Sequence, residues 1–244
     1  MKGLNVKQLN GFYGRAQILF DVALTVGPGE VVALMGRNGA GKTTTMKAII
    51  GLLENRRGSI TFDGTELIHM QPFAINRLGV GYVPEDRRIF TELTVLENLS
   101  IAQPNGVNVK IADAKIADAK RFTLERLFDL FPNLKEMPNR LGAQMSGGEQ
   151  QMLSVARTLI GNPHLVLLDE PSEGIAPIVV QKMIDAVLAM KAAGIGVLLS
   201  EQNLRFAQQV ADRAYVLEKG QVKFDGPFSQ LMADEALRRQ YLTI

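Results

Sequence analysis

No cysteine occurs among the 244 residues. That absence excludes a disulfide framework, a thiolate zinc site and a cysteine nucleophile, and it fits a reducing compartment. Histidine is nearly as scarce: His69 lies just ahead of Pro72 and His164 follows Pro163, positions that suit surface or capping roles better than catalysis. A surplus of one charge is also missing, since 27 Lys or Arg stand against 25 Asp or Glu for a formal net charge of +2. Polyanion binders gather a basic excess on one face, and only short pairs such as Arg56-Arg57 and Arg87-Arg88 offer one here, so no nucleic acid partner is expected. No apolar run approaches the roughly 18 residues that span a bilayer. Met1 to Tyr13 alternates polar and apolar residues and lacks the layout of a signal peptide, so the expectation is a chain that is itself soluble, in the cytoplasm.

The residues that are present suit a large core. Hydrophobic residues make up 46% of the chain, and the length fits one large domain or one domain with a sizeable insertion. The ten Met residues are scattered and read as core filler. Short β-branched apolar runs at Glu30–Met35, Ile60–Phe62, Leu165–Leu168, Gly196–Leu199 and Ala214–Leu217 predict strands that alternate with helical patterns. This is the pattern of an α/β fold with helices around a sheet. Gly27-Pro28-Gly29, Asp63-Gly64, Lys219-Gly220 and Asp225-Gly226-Pro227 predict turns joining short strands near both ends of the chain, hence an added antiparallel layer and a mixed sheet. From about Glu92 to Thr158 the strand signal lapses, and Arg121–Phe131, with apolar Phe122, Leu124, Leu127, Phe128 and Phe131, predicts a helix inside a helical insertion. Lys110–Lys120 repeats Lys-Ile-Ala-Asp-Ala every five residues, which cannot hold one face of a 3.6-residue helix and reads as a solvated helix.

Gly36-Arg37-Asn38-Gly39-Ala40-Gly41-Lys42-Thr43 fits G-x-x-x-x-G-K-[ST] directly after the Val31–Met35 run and before a helical one. In that context its glycines let backbone N–H groups turn toward phosphate oxygens, Lys42 reaches the β- and γ-phosphates, and the Thr43 hydroxyl can ligate Mg²⁺. Leu165–Leu168 ends in Asp169-Glu170. Paired acids after a strand are commonly a solvated turn. Beside a phosphate loop, Asp169 can hold Mg²⁺ and Glu170 can accept a proton from the water that attacks the γ-phosphate. No Asn-Lys-x-Asp guanine-reading motif occurs, which disfavours a GTPase.

Met145-Ser146-Gly147-Gly148-Glu149-Gln150-Gln151 precedes the helical run Met152–Ile160. Alone, Ser146-x-x-Glu149 is a capping box. Its two glycines also leave an uncrowded, positively polarised helix N-terminus that a second phosphate can approach. Taken with the phosphate loop and Asp169-Glu170, the chain resembles the ATPase subunits of ABC transporters along nearly its whole length, with Ser-Gly-Gly-Glu-Gln as the signature.

The resemblance implies a phosphate-loop NTPase fold with a mixed central sheet, an N-terminal antiparallel layer and a helical insertion. Residues 1–244 would then be one ABC ATPase domain, with 1–91 and 159–244 as the nucleotide-binding core and 92–158 as a helical subdomain carrying the signature. It implies ATP and Mg²⁺ as ligands, and two subunits docked head to tail with each ATP between one phosphate loop and the other signature. Gly36, Asn38, Gly39, Ala40, Gly41, Lys42, Thr43 and Thr44 would meet ATP on one side, and Ser146, Gly147, Gly148 and Glu149 would meet the partner's ATP on the other. Tyr13 would stack on adenine, a buried strand aromatic being the other reading. The partners implied are a second copy or a related ABC ATPase, transmembrane permease subunits and, indirectly, a periplasmic or extracellular substrate-binding protein, with the chain peripheral on the cytoplasmic side of the inner (cell) membrane.

Tyr82-Val83-Pro84-Glu85, Arg87-Arg88-Ile89-Phe90, Gly148–Leu153 and Glu170-Pro171-Ser172-Glu173-Gly174-Ile175-Ala176-Pro177 are similar to the branched-chain amino acid importer ATPases. Three positions depart from the general ABC pattern. Glu85 stands where a Gln usually senses the metal and the membrane subunits, Gln202 stands at the switch His, and Ala176 replaces an Asp. The resemblance assigns Glu85 to the metal and the catalytic loop and Gln202 to the γ-phosphate, with capping of the next helix as the alternative for Gln202. Ile89 and Phe90 beside a basic pair suit a contact with membrane subunits or burial at a helix start. The competing function is an ABC-type ATPase in a non-transport process. Such proteins usually carry long coiled-coil insertions or two cassettes, neither of which this chain has.

Overall fold

The computed structural model describes residues 3–103 and 121–242. The Lys110–Lys120 repeat lies outside the described residues. Two sheets frame the fold. The first is antiparallel and contains β1 (Leu4–Tyr13), β2 (Ala16–Val26), β4 (Asn55–Phe62) and β5 (Thr65–Glu66) in the order β2-β1-β4-β5. The second has the order β10-β9-β3-β8-β7-β6, formed by β3 (Val31–Met35), β6 (Val80–Val83), β7 (Leu165–Asp169), β8 (Gly196–Glu201), β9 (Arg213–Glu218) and β10 (Gln221–Pro227). Its neighbours are parallel except for the antiparallel β9–β10 pair, so the fold is α/β with a mixed central sheet and a separate antiparallel layer.

β3, β7 and β8 are buried on both faces, which is why they read as continuous apolar runs and not as alternating ones. Their side chains still alternate between cores. Val166, Leu168, Val197 and Leu199 pack on one face with α6 (Gly147–Ile160) and α7 (Pro177–Ala192). Leu165, Leu167, Leu198, Val32 and Leu34 pack on the other, beneath the antiparallel sheet and α1 (Lys42–Ile49). Ala33 and Met35 join Val216 under α9 (Phe228–Ala233) and α10 (Glu235–Tyr241).

α2 (Pro72–Arg77) precedes β6, and α8 (Leu204–Val210) follows β8. Between β6 and β7 the described residues form α3 (Val95–Ala102), α4 (Leu124–Leu130), α5 (Pro132–Glu136), a single 3₁₀ turn and α6, with one isolated bridge, Thr94 to Leu141. The helix expected over Arg121–Phe131 is shorter, because Thr123 caps it by accepting the Arg126 N–H. Its buried seam is Leu127 and Phe131, with Phe122 filling the core from the preceding turn, while Leu124 is left on the surface.

One turn expectation is corrected. Gly27-Pro28-Gly29 is a turn as expected and carries the chain from β2 in one sheet to β3 in the other, but Asp225-Gly226-Pro227 is the end of β10, paired with Tyr215, Ala214 and Arg213. Pro227 is tolerated there because β10 is an edge strand with no ladder bond to lose on its outer side. The Lys219-Gly220 hairpin therefore widens the central sheet and does not found a second layer. No described helix is long and apolar enough to cross a membrane.

Candidate functional site

The parallel strands β3, β7 and β8 deliver their C-terminal ends side by side, with Met35 opposite Glu201 and Asp169 opposite Ser200. Ligands of open α/β sheets bind at this edge. The chain leaves β3 through the phosphate loop and enters α1 at Lys42. Gly36 sits at φ 150°, and a Cβ there would lie 2.4 Å from the Leu217 carbonyl oxygen, so any side chain would push the loop off β9. Gly220 in the β9–β10 turn donates its N–H to the Ala40 carbonyl at 2.8 Å and braces the loop from outside.

Lys42 is buried. Its Nζ donates to the carbonyls of Gly36 at 2.8 Å and Arg37 at 3.3 Å, and it pairs with Glu170 Oε1 at 3.1 Å. The Thr43 hydroxyl donates to Asp169 Oδ1 at 3.1 Å, and the Tyr82 hydroxyl donates to Asp169 Oδ2 at 3.2 Å. Burial pushes the Asp169 carboxyl up, against the pull of its hydrogen bonds. Burial and the neighbouring Asp169 hold the Tyr82 phenol well above its ordinary range, so it stays a donor. Glu170 stands at φ 48°, a left-handed conformation that non-glycine residues adopt at a cost, fixed by its N–H on the Ser200 carbonyl at 3.0 Å. For its carboxyl, burial acts upward but is outweighed by the Glu173 hydrogen bond and the Lys42 charge, so the group stays below the usual carboxylate value. The Gln202 amide joins the cluster from the β8–α8 turn, donating to Glu170 Oε2 at 2.9 Å and Asn38 Oδ1 at 2.7 Å. Capping of α8 falls to Asn203, which accepts the N–H groups of Arg205 and Phe206, so the alternative role considered for Gln202 belongs to its neighbour.

The donor set suits a hard divalent cation. Thr43 and Asp169 offer oxygen only, and no described group of three acidic or His side chains could hold a metal by itself. Mg²⁺ takes one or two protein oxygens and completes its shell with water and substrate phosphates, so these residues fit it.

Elsewhere the structure disperses the expected residues. Tyr13 ends β1 at 49% exposure and is no buried strand aromatic. Thr44 is buried in α1, Asn38 and Gly39 are exposed in the loop, and Glu85 is exposed after β6, its charge felt at Glu173. Ser146 is the N-cap of α6: its hydroxyl accepts the Glu149 N–H at 3.4 Å, and Glu149 Oε2 accepts the Ser146 N–H at 2.6 Å. Gly147 has the Arg87 guanidinium over it, and a Cβ there would meet Nη1 at 2.9 Å. No hydrogen bond or ion pair joins Ser146–Glu149 to the Lys42–Asp169 cluster within the described chain; Glu149 pairs instead with Arg140 at 3.7 Å. Ile89 and Phe90 divide the two readings given for them. Ile89 packs against the core, whereas Phe90 is half-exposed with Arg157 over its ring at 5.1 Å. His69 and His164 are exposed.

Tyr82, Ser172, Glu173 and Glu201 belong to this region and were not singled out by sequence reasoning. The acidic end of a buried strand was the available signal for Glu201, since Asp169-Glu170 carried the same signal on β7.

A phosphate loop after β3, a buried carboxylate pair at the end of β7 with only β8 between, and a capped helix N-terminus define a phosphate-loop nucleotide hydrolase. Residues 19–173 match the ABC transporter family. The chain is 38% identical to the high-affinity branched-chain amino acid transport ATP-binding protein BraG of Pseudomonas aeruginosa over 239 residues, 98% of this chain and 99% of that one. It is 34% identical to the lipopolysaccharide export system ATP-binding protein LptB of Haemophilus influenzae, over 99% of this chain and 98% of that one. A solved structure of an ATP-binding subunit of an ABC transporter superposes with a TM-score of 0.80 at 33% identity, covering 97% of this chain and 95% of the other. The chain belongs to the ABC transporter family, as an ATPase subunit.

Proposed function

We propose that the chain binds Mg·ATP and hydrolyses it between two subunits docked head to tail, to power import of branched-chain or similar amino acids. The observation that carries the catalytic part is the convergence of Lys42, Thr43, Asp169, Glu170 and Gln202 at the C-terminal ends of β3, β7 and β8. Glycines 36, 39 and 41 with Ala40 let backbone N–H groups face phosphate, Lys42 contacts the β- and γ-phosphates, and Tyr13 stacks on adenine. Thr43 and Asp169 would hold Mg²⁺, which when bound neutralises charge on the phosphate oxygens. Glu170, kept ionised by the Glu173 hydrogen bond and the Lys42 charge, takes a proton from the attacking water at a carboxylate oxygen, while the Gln202 amide orients that carboxylate. Ser146, Gly147, Gly148 and Glu149 offer their helix N-terminus to the partner's nucleotide. Glu85 belongs to the loop that links the metal site to membrane subunits, and half-exposed Phe90 follows it five residues later in the chain.

The full-length similarity to BraG supports amino-acid import through permease subunits fed by a substrate-binding protein, with this chain peripheral to the membrane on its cytoplasmic side. The similarity to LptB, nearly as high, supports an exporter subunit as the rival. Copurification from membranes followed by reconstitution in proteoliposomes separates the two. Import predicts ATP hydrolysis stimulated by a binding protein loaded with a branched-chain amino acid; stimulation by lipopolysaccharide alone overturns it.

A further inference from the structure

Glu201 is 2% exposed at the end of β8, and no role above uses it. Its carboxylate accepts from three backbone N–H groups. Oε1 accepts from Ser172 at 3.1 Å, and Oε2 accepts from Gln202 and Asn203, both at 3.0 Å. The two oxygens therefore reach two different loops. One is the turn behind Glu170, which runs from Ser172 toward Ala176; the other is the turn that carries Gln202.

These two loops meet twice. In front, the Gln202 amide donates to Glu170 Oε2 at 2.9 Å. Behind, Glu201 holds both backbones. The front contact involves the group that accepts a proton during turnover, whereas the rear contact lies out of solvent and involves no reacting atom. Burying a carboxylate costs solvation free energy, and here the three backbone donors together with the Ser172 side chain offset part of that cost, using both oxygens as acceptors. Nothing in the packing of β8 asks for an acid at this position: Leu199, two residues earlier on the same strand, is fully buried and apolar.

We propose that Glu201 is a positioning residue whose carboxylate clamps the Ser172 turn to the Gln202 turn, so that Glu170 and Gln202 keep one register through hydrolysis. The proposal rests on the assignment of Glu170 as proton acceptor. Its chemical consequence is specific. In Glu201→Gln one oxygen becomes an NH₂ group, and whichever way the amide turns, a donor faces a donor, at Ser172 or at the Gln202 and Asn203 pair. Glu201→Asp keeps both acceptors but is one methylene too short to reach both turns.

Steady-state ATP hydrolysis by the full chain tests it, with E201Q, E201D, Q202A, the E201Q/Q202A double variant and E170Q measured beside the parent, and thermal unfolding recorded for each. E201Q should lower kcat roughly tenfold to a hundredfold with the KM for ATP within about twofold of the parent, because register and not nucleotide binding is lost. E201D should fall between the two. The double variant should lose less than the product of its single losses, since Glu201 acts through Gln202. Parental kcat in E201Q overturns the proposal, as does a rise in KM with kcat kept, or losses that multiply in the double variant. Should E201Q fail to fold, E201D decides by the same split, with parental kcat again overturning. E170Q separates this idea from its foundation: parental turnover there defeats the assignment of Glu170 itself, whereas an inactive E170Q beside a fully active E201Q defeats the clamp alone.

Discussion

The carboxyl of Glu173 is pushed up to about 7, chiefly by its hydrogen bond with Glu170, then by burial and by the charges of Glu170, Glu85 and Glu201. An unfolded Glu releases its proton near 4.5, so between about 4.5 and 7 the folded chain holds more protons than the unfolded one. Stability that Glu173 contributes is then fully present at the acid end of that window and is lost as pH rises through 7. The Glu170 shift runs the other way and acts below the window. Glu173→Gln should therefore flatten the fall in Tm of the nucleotide-free protein between pH 5 and 7.5, and parallel Tm–pH curves for variant and parent would contradict this. Lys42, Thr43, Asp169 and Glu170 were legible in the sequence because loop and strand chemistry is local in the chain. Tyr82 was not, because its bond to Asp169 depends on β6 lying beside β7, a pairing between residues 87 apart.

Helix caps are the element-scale counterpart. Thr94, Thr123, Ser146 and Asn203 each accept backbone N–H groups at the heads of α3, α4, α6 and α8. α7, 16 residues long, is preceded by Ala176 as its N-cap, which has no side-chain acceptor, with Pro177 at the first helical position. Replacing Ala176 by Ser supplies the missing acceptor and should stabilise the fold by about 1 kcal/mol. A higher urea midpoint at unchanged m-value would show it, and an unchanged midpoint would mean that the α7 N-terminus is already satisfied. The same contrast explains what was readable among elements. The runs behind β3, β7, β8 and β9 were visible because two-sided burial leaves continuous apolar sequence. β1, β2 and β10 mix exposed and half-buried positions, and β10 hides a Gly-Pro pair that only an edge strand tolerates. The left-handed pair Arg87 and Arg88 is held by α6 as well as by its own turn: the carbonyls accept from Ser154 at 2.7 Å and Arg157 at 2.6 Å, while the N–H groups donate to the Pro84 carbonyl at 3.0 Å and the Asp86 carbonyl at 2.7 Å.

At the scale of the whole molecule, no hydrogen bond among the described residues joins the signature helix to the phosphate loop, which supports their use as two half-sites completed by a second subunit. Ser146→Arg, at an exposed cap, should then abolish ATP-dependent dimerisation seen by light scattering while leaving ATP binding to the monomer nearly intact. Equal loss of monomer binding would put Ser146 in the same-chain site or signal misfolding. The assignment on which every other step depends is Glu170, and single-turnover hydrolysis of bound ATP measures it most directly. Glu170→Gln keeps the side chain's shape and removes its basicity, so the rate should fall by roughly 10²–10⁴ with ATP affinity preserved. Hydrolysis of bound ATP by Glu170→Gln at the parental rate would contradict the account.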